Sequence, residues 1–99
     1  MGMDFCIFDE YGGEIWYCGN SLFVNHKMTS VETQDNRVML CYHGAPSGFA
    51  SIIENGETYY GKEAAEKIRA VKPFIDSEKY SEIERTIKNY PNFHFYAWW

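Results

Sequence analysis

The run Val38-Met39-Leu40-Cys41-Tyr42 carries apolar side chains on both alternating faces, a pattern that suits a strand covered on both sides. A chain that must bury such a strand needs further secondary structure packed around it. His43-Gly44 follows at the strand's carboxyl end, and Gly44, Pro46 and Gly48 mark a tight turn before Phe49. In α/β proteins, ligand-binding and catalytic groups collect at such strand ends.

The remaining elements fall into place around this strand. Asp4 to Phe8 and Glu14 to Cys18 are β-rich runs joined through Gly12-Gly13, which predicts an amino-terminal hairpin. Leu22-Phe23-Val24 reads as a third short strand, and the polar stretch 25–36 as an exposed loop. Asn55-Gly56 is the favoured pair for a type I′ turn, so Ser51 to Glu54 and Glu57 to Tyr60 are expected to form a hairpin near 52–60.

Two helices follow. Over 62–71, Ala64, Ala65, Ile68 and Val71 form an apolar stripe that Pro73 ends; over 77–89, Tyr80, Ile83, Ile87 and Tyr90 recur at helical spacing. Ser77, or Ser81 in a Ser-x-x-Glu box with Glu84, supplies the expected cap. Phe93 to Trp98 reads as a final aromatic strand. The order predicts a small two-layer single domain over 1–99, α/β or α+β, with a mixed sheet centred on strand 37–42. If the last strand runs parallel to that centre, the helices form a right-handed crossover.

Ninety-nine residues can bury a modest core without metal or disulfide support. The net charge of −5 leaves no basic surface for phosphates and argues against direct nucleic-acid binding. No apolar run approaches the ~20 residues of a membrane helix, and Met1 to Phe8 shows no signal-peptide pattern. Cys6, Cys18 and Cys41 are odd in number and sit in apolar contexts without C-x-x-C spacing, as expected of buried reduced thiols in a cytoplasmic protein. His26, His43 and His94 have no spacing that favours zinc, and the sequence points to no cofactor and no metal.

His43 has the chemistry of a general acid or base, and equally of a histidine that hydrogen-bonds its own loop. Cys41 lies two residues earlier on the same face, so a thiol and an imidazole would adjoin there; Cys6 or Cys18 could reach His43 across the sheet. Ser47 lacks the G-x-S-x-G setting of a serine nucleophile. The closing Phe93, Phe95, Tyr96, Trp98 and Trp99 suit a core strand, with Trp98 and Trp99 as anchors for a partner wherever they protrude.

Val38 to Gly44, Ser47-Gly48-Phe49 and Tyr60 to Ile68 together resemble the His-Gly half of caspase-like cysteine peptidases, the clan of clostripain, gingipains and toxin self-processing domains. The resemblance spans about residues 37 to 98 and implies that His43 matches the catalytic histidine. Phe93 to Tyr96 would then take the place of the cysteine-bearing strand. No cysteine follows Cys41, so the resemblance implies a half-domain that is truncated, degenerate or completed by another chain.

The expectation is therefore a small acidic cytoplasmic module that binds or regulates another protein, in the manner of an inhibitor or an immunity or anti-defence protein. Its expected binding residues are His43, Gly44, Ser47, Gly48, Phe49, Trp98 and Trp99, and a homo-oligomer is compatible with the sequence. One rival is a cysteine-dependent hydrolase with His43 as base and Cys41, Cys18 or Cys6 as nucleophile. The other is a toxin-type nuclease, which the negative charge disfavours.

Overall fold

The computed structural model describes residues 3–24 and 45–99. The expected central strand 37–42, with Cys41, His43 and Gly44 at its end, lies outside the described residues, as does His26.

Strands β1 (Asp4–Phe8) and β2 (Glu14–Cys18) form the expected hairpin with the expected bounds. Asp9 organises its turn: one carboxylate oxygen accepts the backbone N–H groups of Tyr11 (2.9 Å) and Gly13 (2.8 Å). The chain then departs from expectation. Leu22-Phe23-Val24 does not form a strand; Asn20–Leu22 is a 3₁₀ turn, and Phe23 makes an isolated antiparallel bridge to Ile75. The Leu22 and Phe23 N–H groups are taken by the Gly19 and Asn20 carbonyls, so the pairing is limited to the Val24 N–H bonding Phe74 and the Asp76 N–H bonding Leu22.

Helix α1 (Ser47–Ala50) is a single turn, followed by strand β3 (Thr58–Tyr60), helix α2 (Gly61–Ala70), helix α3 (Ser77–Asn89) and strand β4 (His94–Trp98). The hairpin expected near 52–60 does not form. Its turn is present, with Gly56 at φ 84° and the Glu57 N–H bonded to the Glu54 carbonyl, but the chain before it carries on from α1. Ile52 and Ile53 both bond the Phe49 carbonyl, so their N–H groups are already taken. β3 pairs with β4 instead.

The helices match the sequence pattern, with Ala64, Ile68, Tyr80 and Ile83 buried along their stripes. The cap of α3 is neither Ser81, which lies inside the helix, nor Ser77, its first residue, but Asp76, whose carboxylate accepts from the N–H groups of Glu78 (3.1 Å) and Lys79 (3.2 Å). A carboxylate is also the better match for the positive end of the helix dipole.

The strands are ordered β2-β1-β4-β3, and every pairing among the described strands is antiparallel. The fold is the expected small two-layer mixed α and β domain. Among the described strands β4 lies between β1 and β3 and runs antiparallel to both, and its expected pairing with strand 37–42 lies outside the described residues. With two helices rather than one between β3 and β4, the chain returns antiparallel; a lone crossover helix would have made the pair parallel. The core lies between one face of this sheet and the helices, where Phe5, Ile7, Phe95, Ala97, Ile68 and Ile83 are buried together.

Candidate functional site

Register decides which side chains share a face, because directly paired residues project to the same side. Phe5 with Cys18 and Ala97, Ile7 with Trp16 and Phe95, and Tyr59 with Phe95 all face the helices. The alternate residues form three rows on the opposite face, called the open face because none of the described helices packs on it. Asp4 stands beside Trp98; Tyr17, Cys6, Tyr96 and Thr58 form a second row; Glu14, Phe8, His94 and Tyr60 form a third.

The third row is a stack of rings. The centroids of Tyr60 and His94 are 5.0 Å apart and those of His94 and Phe8 5.2 Å, each pair within 23° of parallel. Phe8 continues to Tyr96 at 5.8 Å. Such spacing matches the separation of neighbouring strands, so the rings stand side by side and support one another. At the margins, Tyr60, Trp98 and Tyr17 keep half or more of their surface in water.

Electrostatics on this face are negative. The Tyr17 hydroxyl donates to an Asp4 carboxylate oxygen (2.7 Å), and this bond, with some burial, raises the phenol to about 12. Cys6 lies between Tyr17 and Tyr96 in the second row. Burial, and then the carboxylates of Glu14 and Asp4, push its thiol up to about 11, while a hydrogen bond with Tyr96 partly offsets the rise. Tyr96 is raised too, mainly by burial.

A thiol with these neighbours stays protonated near neutrality and is a poor nucleophile. Cys18 is buried, its sulfur 3.4 Å from the Ser21 hydroxyl. Among the described residues, the hydrogen-bond partner of Cys18 is Ser21 and that of Cys6 is Tyr96, while His43, the histidine expected to meet a thiol, lies outside them. Among the described residues no group of three or more His, Cys, Asp or Glu side chains could hold a metal ion, and no helix is long and apolar enough to cross a membrane.

The residues expected to bind a partner part company. Ser47 is exposed on α1. Gly48 lies against the Phe74 ring so closely that a Cβ there would sit 2.4 Å from ring carbons, which makes glycine a packing requirement. Phe49 is fully buried and packs edge-on against Phe23 (5.1 Å) and Trp99 (5.7 Å), so its ring is a core group and cannot present itself to a partner. Trp99 is half-buried and pinned, its N–H and carbonyl both bonded to the Asn55 side chain at 2.9 and 2.7 Å. Of the two closing tryptophans, Trp98 is the exposed one.

The sequence pattern assigns a surface or edge place to His94 but none to Phe8, Tyr17, Tyr60 or Tyr96. A signal was present in β4, where rings that carry a polar atom, in His94, Tyr96 and Trp98, alternate with purely apolar Phe95 and Ala97. Comparisons with models of protein families, with curated proteins and with solved structures give no match to this chain.

Proposed function

We propose that this chain is a protein-binding or regulatory module of the cytoplasm, of the kind that inhibits or neutralises another protein, and that the open face of its sheet is the binding surface. The observation that carries this reading is the gathering of Tyr17, Tyr60 and Trp98 on one face of four paired strands, each exposed and each held upright by paired backbone. Tyr and Trp are enriched at interfaces because each offers a large apolar area with one polar atom at little entropic cost. Four hydrogen-bonded strands keep that surface pre-organised, which lowers the cost of association. Descent from a caspase-like half-domain is compatible with this role and would make the module a binding remnant.

A benzophenone amino acid placed at position 98 and, separately, at position 66 on the exposed side of α2 tests the reading in the cells that express the protein. Illumination is expected to give a protein adduct from position 98 and none from position 66. The adduct is expected to disappear when Tyr17 and Tyr60 are both changed to alanine. Adducts from position 66 alone, or from neither position, overturn the proposal.

A further inference from the structure

Charge is divided between the two layers of this domain. Of its nine Lys and Arg residues, seven fall among the described residues, and all seven lie between Lys62 and Lys88, in α2, in α3 and in the turn joining them. The rest of the described chain, which includes all four strands, holds six acids and no Lys or Arg. Among the described residues, 62–88 hold seven basic and six acidic residues and so nearly cancel, whereas the six acids elsewhere are uncompensated, two of them, Asp4 and Glu14, in the strands.

Asp4 and Trp98 are direct cross-strand partners on the open face, which places their Cβ atoms roughly 5 Å apart. The Tyr17 hydroxyl donates to one Asp4 oxygen; among the described residues no group bonds the other, which lies beside an exposed indole. An indole face next to a carboxylate is a complete recognition pair for a guanidinium group, which stacks on the ring while it donates to the oxygen. Glu14 provides a second carboxylate in the third row, beside Phe8 at the β2 end of the ring stack.

We infer that the open face receives an arginine-bearing basic segment of the partner, with one guanidinium between Trp98 and Asp4 and a second basic group towards Glu14. This rests on the protein-binding reading above and specifies the partner's chemistry. In the middle of the sheet the carboxylates of Glu14 and Asp4 add to the burial that raises the Cys6 thiol. A second copy of the chain is the competing occupant, since its helix side carries Arg69, Arg85 and Lys88 along the groove between α2 and α3.

Titration of the intact protein with an oligo-arginine peptide, and with oligo-lysine and oligo-glutamate of equal length, tests the inference by calorimetry. Oligo-arginine is expected to bind more tightly than oligo-lysine, and oligo-glutamate not at all. Trp98→Ala and Asp4→Asn are each expected to weaken oligo-arginine binding roughly fivefold or more, while Glu63→Gln on α2 leaves it unchanged. Trp98 is exposed, so Trp98→Ala keeps the test decisive even if Asp4→Asn unsettles β1.

Equal weakening by Glu63→Gln overturns the inference in favour of bulk charge. Equal binding of the two basic peptides overturns it as well. Self-association in sedimentation that Trp98→Ala abolishes, without peptide binding, assigns the face to a second copy. Persistence of the position-98 adduct without oligo-arginine binding rejects the basic partner alone; loss of both rejects the protein-binding reading too.

Discussion

On the inner face of the sheet Phe5, Ile7, Phe95 and Ala97 are fully buried, whereas one residue away along the same strands Phe8, Tyr96 and Trp98 remain partly in water. Both faces are rich in rings, so hydrophobicity alone does not tell them apart. The polar atoms do. The inner face relies on side chains without them, and its exceptions are satisfied: the Tyr59 hydroxyl accepts the Glu54 N–H (3.0 Å), and the Trp16 indole donates to Glu82 (3.0 Å). The outer face carries Tyr17, Tyr60, Tyr96, His94 and Trp98, whose polar atoms can be met by water or by a partner.

The comparison breaks most readily at Phe95, which stacks on Phe5 at 5.2 Å and touches Tyr59 at 5.4 Å. Phe95→Ala is expected to cost about 3–5 kcal/mol through lost burial and a residual cavity, read from the urea midpoint. A loss below about 1 kcal/mol would mean that the inner face is not the core. Adding volume to the inner layer has a smaller effect: Gly48→Ala, which drives a methyl into the Phe74 ring, is expected to cost about 1–3 kcal/mol.

The outer face sharpens the contrast. Phe8→Ala removes a half-buried ring that stacks on His94 and Tyr96 and is expected to cost roughly 1 kcal/mol in the same measurement. Trp98→Ala is expected to fall within about 0.5 kcal/mol of the parent, because the indole is mostly in water. Equal losses at Trp98 and Phe95 would erase the distinction between the faces.

Alkali probes the outer face by titration. Cys6 is raised from 9.0 to about 11, so the stability it contributes is full below pH 9 and is lost as pH rises through 11. Tyr17 is raised from 10.0 to about 12, and its contribution is lost in the same direction between those values. The urea midpoint is therefore expected to hold up to about pH 9 and to fall above it. Alkylation of Cys6 in the folded protein is expected to stay slow near neutral pH. A fast reaction at pH 7 would show that the thiol lies outside this negative, buried setting.

Element boundaries were legible because their causes are local. The strand periods of Asp4–Phe8 and Glu14–Cys18, the apolar stripes of α2 and α3, and the aromatic run into β4 each sit within a few residues of their own stop signals. The cap at Asp76 was within reach of the same reasoning, since an acid directly precedes Ser77. Ring chemistry in β4 hinted at two distinct faces.

Partner choice belonged to the tertiary structure. Nothing in Thr58-Tyr59-Tyr60 says that it pairs with a strand some 35 residues later rather than with the apolar residues just before Asn55-Gly56, because that outcome turns on whether Ile52 and Ile53 first spend their N–H groups on Phe49. The burial of Phe49 depended likewise on Phe23 and Trp99, which come from opposite ends of the described chain. The sequence by itself determined what could become helix or strand and how charge is distributed along the chain. Only the folded sheet, by setting register across strands distant in sequence, decided that Trp98 stands beside Asp4 on an open face, since such long-range pairings are sums of many contacts that no local pattern encodes.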